Sequence, residues 1–263
     1  DPDLVERNLD FLRDSKVPKP VKYIAVAGMI LSWKWLYYAP NTYKELKIQK
    51  MKKEGKTIPD CATDACTLTR VLQGHPIVKP WELVNKVMGP YFLIHFFLLP
   101  APFALFGSSV YMGAVINLIL ADLLTNIHSF MMIVPNHAGK DMYKFSTPTP
   151  PNSGEFYLRQ VLSSANFNLG NDYIDFASGW LNYQIEHHMW PNLSMLSYQK
   201  SQKEVEAICE KHGVPYIKEN VFLRTKKTID VMVGDASMRP FPEEWSRRQA
   251  STNLRSALES RME

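Results

Sequence analysis

Apolar residues are gathered in blocks along this chain, with long polar stretches between them. Residues 21–39 (VKYIAVAGMILSWKWLYYA) are mostly apolar or aromatic over 19 positions, with Lys22 and Lys34 as charged interruptions. A membrane span takes about 20 such residues at a rise of ~1.5 Å each. Trp33, Lys34, Trp35, Tyr37 and Tyr38 cluster at one end, a composition suited to a membrane–water interface. The segment is therefore expected to be a short span or a helix lying in the interface. Residues 87–106 form a second block of 20, broken by Pro100 and Pro102, and residues 110–134 a third of 25. Only Gly107-Ser108-Ser109 separates them, so they are expected to fold back as an antiparallel hairpin. The loop before residue 87 and everything after residue 134 would then share a compartment.

The polar stretches complete the outline. Residues 41–60 carry lysines at 44, 47, 50, 52, 53 and 56 against Glu45, Glu54 and Asp60. They read as a solvated loop, or as a cytosolic, matrix or stromal loop beside anionic lipid. Residues 146–154 are a Pro-rich loop, and 156–190 read as helical segments with a break around Asn166–Gly170 and a stop at Pro191. Residues 194–212 show a helical pattern with Leu196, Val205, Ile208 and Cys209 as candidate buried positions, ended by Gly213. The expected fold is all-α, a membrane hairpin with one further interfacial or spanning helix and a helical cap on the cytosolic or matrix side. Its parts are residues 1–60, the hairpin at 61–145, the cap at 146–222 and an irregular polar arm at 223–263.

Composition narrows the function classes. With 12 Gly, 18 Pro and three Cys in 263 residues, collagen, low-complexity disorder and a disulfide scaffold are excluded. A net charge of +4 is too slight to argue for nucleic acid. Cys61, Cys66 and Cys209 lack the spacing of a zinc site and are expected to be free thiols. Residues 1–10 are polar and acidic, without signal-peptide character or an initiating Met, so the chain is expected to begin mid-gene, after processing, or where the determined sequence starts.

The candidate chemistry lies in two places. The third apolar block holds Asn117, Asp122, Asn126 and His128. Ionisable groups at bilayer depth usually face a cavity, a partner or a metal. Asp122 and Asn126 share a helix face, and for Asp122 interhelical hydrogen bonding is an equal alternative to such a role. His95 reads as a packed or interface histidine, with a ligand as the other reading. The second place is Leu181–Pro191 (LNYQIEHHMWP), where Gln184, His187 and His188 fall at i, i+3 and i+4 on one helix face, while Glu186 points elsewhere. Neutral imidazole is the commonest ligand for iron, zinc and copper, and two adjacent ones can serve a pair of metals.

QIEHHMWP behind an apolar hairpin resembles the membrane fatty-acid desaturases, the histidine-box di-iron enzymes, in the branch whose third box begins with Gln. Residues 193–217 (LSMLSYQKSQKEVEAICEKHGVPYI) are similar to the helix after that box, with its K-H-x-x-P-Y-like turn at Lys211–Tyr216. The likeness is specific over 87–222 and looser over 1–46, where Asp1-Pro2-Asp3-Leu4 looks like the segment after the second box. The resemblance implies an O2-dependent acyl-lipid or acyl-CoA desaturase using two iron ions and electrons from cytochrome b5 or ferredoxin. The membrane would be that of the endoplasmic reticulum, a plastid membrane or the mitochondrial inner membrane. His187 and His188 would be ligands, Gln184 a ligand or an orienting group, and His128 a further ligand with His137 as the alternative. Asn126 and Asp122 would stand behind them, Asn126 holding an iron-bound water. Trp180, Tyr183 and Trp190 would line the acyl path, with core packing as the other reading. A hydroxylase or other oxygenase of the same superfamily is the neighbouring possibility.

The departure from the family is as informative. The histidines are 75, 95, 128, 137, 187, 188 and 212, so the first two boxes are missing. They would come from a further segment of the protein or from a second chain. Otherwise they are lost, and the chain is a non-catalytic subunit of a respiratory or photosynthetic membrane complex.

Overall fold

The computed structural model describes residues 5–59, 62, 65–168 and 171–242, so Asp1–Leu4, Cys61, Gly170 and the distal part of the expected arm, from residue 243 onward, lie outside the described residues. The described residues are mostly helical, and among them are two parallel two-residue bridges, β1 (Tyr143–Lys144) to β4 (Arg239–Pro240) and β2 (Asn166–Phe167) to β3 (Lys218–Glu219).

The N-terminal helix Lys19–Leu31 breaks at Ser32-Trp33, and the chain then stays helical through Lys53. The lysine-rich stretch expected as a loop is therefore the helix Ala39–Lys53, and the reason is visible in its apolar positions. Ile48 is buried against Cys66, Val71, Val78 and Leu83, with Tyr43 and Met51 beside it. The lysines take counter-charges around that seam, Lys44 on Glu45 at 2.9 Å and Lys47 on Glu82 at 2.7 Å.

Two helical runs, Pro80–Phe106 and Ser108–Asn136, are long and apolar enough to cross a membrane. Gly107, at φ 110°, is the single residue between them. Tyr91 Oη donates to Asp122 Oδ1 at 2.8 Å, joining one run to the other. From Phe92 to Leu124 fifteen large apolar side chains stay exposed, Leu105 at 88%. Burying each is worth ~1.5–3 kcal/mol, so leaving them in water would exceed the ~5–15 kcal/mol net stability of a whole domain.

Prolines shape the helical runs. Each of Pro40, Pro90 and Pro100 follows a π turn, at Lys34–Tyr38, Val84–Met88 and Ile94–Leu98. A proline ring crowds the carbonyl four residues back, and the wider turn relieves that contact. Gly89 is required in this geometry, because a Cβ there would lie 2.5 Å from the Val84 carbonyl oxygen.

The segment expected as an irregular arm from residue 223 begins as a helix, Val221–Val233. Asn220 caps it by accepting from Phe222 N at 2.8 Å, and Gly234 ends it in the left-handed conformation. Arg224, Thr228 and Val231 form its buried face at i, i+4 and i+7. This closing helix packs Met232 and Val233 on Trp33, Phe130 and Val134, where the N-terminal and second apolar helices meet. The two ends of the described chain are tied together there: Met238 N donates to Glu6 Oε2 at 3.0 Å and Arg13 Nη1 to the Ala236 carbonyl at 3.2 Å. Asn220→Ala is expected to cost about 1 kcal/mol, typical of an N-cap loss. Thermal unfolding in detergent checks it, as a midpoint lowered by ~2–4 °C.

The helix Met195–Lys211 runs to His212-Gly213, Gly213 at φ 65°. Its buried residues are Tyr198, Gln202, Val205 and Cys209, whereas Leu196 and Ile208, both expected inside, are exposed. The true seam runs i, i+4, i+7, i+11 and uses one tyrosine and one glutamine in place of apolar residues.

Candidate metal centre

Gln184–Met189 is a six-residue helix, and the chain reaches it through a tight turn. Gly179 and Trp180 both sit at φ 61°, and Trp180 is held there by its N–H on the Asp175 carbonyl at 2.8 Å and by stacking on Tyr183. A bulky residue in that conformation costs ~1–3 kcal/mol, so the surroundings must enforce it. Asp175, fully buried, does so: it accepts from Asn182, from Tyr183 Oη at 2.9 Å and from Gln199 Nε2 at 3.1 Å. Burial and the Asp175 charge push the Tyr183 hydroxyl well above its usual range, so it stays a donor.

Asn166 anchors the far side of this box helix. Its Oδ1 accepts from Ile185 N at 2.9 Å, and its Nδ2 donates to Glu186 Oε2 at 2.8 Å and to Tyr216 Oη at 2.6 Å. Tyr216 Oη donates to the other oxygen of Glu186 at 2.7 Å. Glu186 is fully buried here, its acidity weakened by burial and only partly restored by those hydrogen bonds. It faces away from the histidines, as expected from its place on the helix.

On the near face the side chains converge. Gln184 Nε2 lies 2.7 Å from His188 Nε2 and 3.3 Å from His137 Nε2. The His137 and His188 rings are 4.9 Å apart, and His187 and His188 5.9 Å. Asn136, fully buried, donates from Nδ2 to the Met132 carbonyl, the Leu181 carbonyl and Gln184 Oε1 at 3.1, 2.9 and 3.4 Å. That bond turns the carboxamide so that its oxygen faces Asn136 and its N–H groups face two imidazole nitrogens. Hence the Nε2 lone pairs of His137 and His188 point at one place, which the Gln184 amide hydrogens mark.

Two residues orient the pair from behind. Ser164 Oγ is 3.2 Å from His188 Nδ1. Tyr198 Oη is 3.3 Å from His187 Nδ1 and donates its proton to the Trp190 carbonyl at 3.0 Å. Its hydroxyl is thus left as an acceptor, which puts the His187 proton on Nδ1 and frees Nε2. Burial lowers both histidines' proton affinity, with neighbouring imidazoles adding to the effect, and His188 falls to about 3. Both are therefore neutral at physiological pH, the form that ligates metals.

Several expected site residues lie elsewhere. His128 is exposed on the second apolar helix, its Nε2 2.8 Å from the Ala177 carbonyl, and is replaced in the cluster by its alternative, His137. The eight steps from residue 128 to 136 rise ~12 Å along a helix, which sets His128 about two turns away from the segment that carries His137. Pro135 stops that helix and delivers the next residues inward. Asn126 and Asp122 also stand apart from the histidines. Asn126 Oδ1 accepts from Lys34 N at 2.9 Å, satisfying the backbone where the N-terminal helix breaks. Asp122 pairs with Lys34 and Tyr91. Trp180, Tyr183 and Trp190 pack around the box helix, on Asp175, Tyr157 and Val214 among others, and are not part of the wall of the apolar cavity that holds His137. The cavity, ≈ 230 Å³, lies between the N-terminal and second apolar helices, walled by Leu9, Met29, Trp33, Phe130 and Met232, with His137 in its wall. Ser164, Tyr198 and Asn136 were invisible as site residues because no motif marks them.

Among the described residues no group of three or more His, Cys, Asp or Glu side chains is disposed to hold a metal ion by itself. The donor set nevertheless suits iron in kind: neutral imidazoles, converging nitrogens and an orienting shell behind them.

Comparison with known proteins bears on this arrangement. The fatty acid desaturase family profile matches residues 24–220. The NADPH-dependent stearoyl-CoA 9-desaturase of Mycobacterium tuberculosis is 30% identical over 131 residues, covering 49% of this chain and 30% of the relative. The Delta(8)-fatty-acid desaturase of Euglena gracilis is 32% identical over 123 residues, 45% of this chain and 27% of the relative. The acyl-lipid (9-3)-desaturase of Physcomitrium patens is 28% identical over 113 residues, 43% and 20%. The chain thus spans less than a third of the length of the curated relatives it matches. No solved structure matches it. With the profile covering most of its length, and the histidines of its box gathered on one face, the chain belongs to the fatty acid desaturase family.

Proposed function

We propose that this chain supplies the third-box half of the di-iron centre of an acyl-chain desaturase, with His137, His187 and His188 as ligands. The observation that carries it is the convergence of His137 and His188 on one point, with His137 also in the wall of an apolar cavity. The remaining ligands come from polypeptide outside these 263 residues, carrying two further histidine boxes. When bound, the irons supply the O2-dependent removal of hydrogen from two neighbouring methylenes, chemistry that side chains do not perform.

The chain's own residues do the rest. Ser164 and Tyr198 orient His188 and His187, and Asn136 fixes the Gln184 carboxamide, whose N–H groups keep the Nε2 lone pairs of His137 and His188 on one point until a metal takes their place. With its oxygen on Asn136, Gln184 acts as an orienting group. The cavity holds a stretch of acyl chain in a dry apolar environment beside His137. The substrate is an acyl-lipid or acyl-CoA, and the electrons come from cytochrome b5 or ferredoxin. Pro80–Phe106 and Ser108–Asn136 form the membrane hairpin, with both outer ends on the side that holds the histidines.

Iron analysis of protein isolated from its native membrane, without added metal, tests this reading. About two irons per assembled complex, together with an unsaturated product from saturated acyl substrate, is the expected result. An iron-free, intact preparation that co-migrates with respiratory or photosynthetic subunits would replace the desaturase by a structural subunit.

A further inference from the structure

The loop between the second apolar helix and β1, Val134–Met142, delivers His137, yet its backbone has few hydrogen bonds of its own. His137 N donates to the Val134 carbonyl and Met142 N to the Gly139 carbonyl, both at 3.1 Å. Ala165 N donates to the Asn136 carbonyl at 3.1 Å and Arg239 N to the Met142 carbonyl at 2.8 Å, and the closing helix adds to these. Arg224 is fully buried. Its Nε and Nη2 both point at the Pro135 carbonyl at 3.4 Å, and Nη2 donates to the Ala138 carbonyl at 2.9 Å. Thr228 Oγ1 donates to the same Ala138 carbonyl at 2.9 Å. The carbonyls of Pro135 and Ala138 are therefore held from one helix. That of Pro135 is an orphan acceptor of the kind expected at a helix C-terminus, where a cation is also favoured by the dipole.

The loop and the guanidinium are fitted to each other. A Cβ at Gly139 would lie 2.5 Å from Arg224 Nη2, so only glycine leaves room for the side chain. Asp141 turns back to receive Arg224 Nη1 on both oxygens at 2.8 and 2.9 Å, and Lys227 Nζ joins Asp141 to Glu219 at 2.8 Å each. Burying an arginine with a full set of partners fixes geometry more than it adds stability. Here the geometry fixed is that of the residue whose Nε2 meets His188 and Gln184.

We propose that Arg224 and Thr228 are positioning residues that hold the His137 imidazole at the metal centre by clamping the carbonyls of Pro135 and Ala138. This rests on the reading of His137 as an iron ligand. The clamp makes the closing helix part of the site through the loop backbone.

The test uses the full chain in detergent and follows modification of individual histidines by diethyl pyrocarbonate with mass spectrometry. Thr228→Val, isosteric but without the hydroxyl, and Arg224→Lys, charged but without the fork, are expected to speed modification of His137 by about tenfold through local opening. Thr228→Ser restores the parental rate, and His128 and His212 react alike in all variants. Iron bound in native membranes falls with the same two substitutions, within the ~10–100-fold affinity loss typical of such outer partners. An unchanged His137 rate in both variants overturns the clamp. So does an increase shared equally by His128 and His212, which would report general loosening. A full iron complement in His137→Ala overturns the ligand reading beneath the proposal, and is distinguishable because Arg224 and Thr228 are intact in that variant.

Discussion

Replacing His188 by alanine abolishes desaturation and strips iron from the assembled centre, the largest effect expected of any single substitution. Its Nε2 is the nitrogen that approaches Gln184 most closely, and its ring stands between those of His137 and His187. Removing one imidazole from a centre that depends on every ligand lowers activity by several orders of magnitude, because the irons supply chemistry no neighbouring side chain can replace. His187→Ala and His137→Ala are expected to match it. His212→Ala and His128→Ala leave product yield and iron content unchanged, since His212 ends the Met195–Lys211 helix and His128 faces away on the second apolar helix. The pairing of His137→Ala with His128→Ala decides between the two candidates the sequence leaves open. Normal product from His188→Ala would sink the metal role of the box altogether.

Asn166→Ala unfolds the site from behind. The substitution orphans the Ile185 N–H and strips one partner each from Glu186 and Tyr216, all of them buried or nearly so. An unmade buried hydrogen bond costs ~1–3 kcal/mol, so the combined loss is about 3 kcal/mol. For a chain of this size that lowers the thermal midpoint by roughly 6–12 °C. The variant is also expected to lose iron while Asn182, Asp175 and the turn before the box remain in place. A midpoint within 1–2 °C of the parent, about what a neutral surface change gives, would show that the Glu186 network does not secure the box helix.

The sequence was most legible where one local rule governs. The two long apolar runs follow from length and hydropathy, and the shared face of Gln184, His187 and His188 follows from helical spacing. It was least legible where tertiary partners decide. His128 reads as the first candidate because the family resemblance puts a ligand at the inner end of that apolar span, while His137 meets Gln184 and His188 where Pro135 ends the helix and a distant arginine holds the loop. Asn126 and Asp122 shared a face, as read, but the face meets Lys34 rather than a histidine. The closing helix was hidden by its lysines and threonines, and its signals were there in Asn220 and Gly234. The lysines of 44–53 similarly masked the seam around Ile48, since long charged side chains can bury their stems and keep their heads outside.

The tie between the two ends of the described chain has a consequence in time. Glu6 and Arg13 meet residues 236–238, more than 220 positions later, and Asn166 sits between the box and Tyr216. Contacts so distant in sequence form slowly, after the loop-closure entropy has been overcome. A ribosome adding ~5–20 residues per second would leave the histidine pair exposed for seconds before its supports emerge. Metal loading would therefore wait until the closing helix and residues 236–238 have emerged and docked.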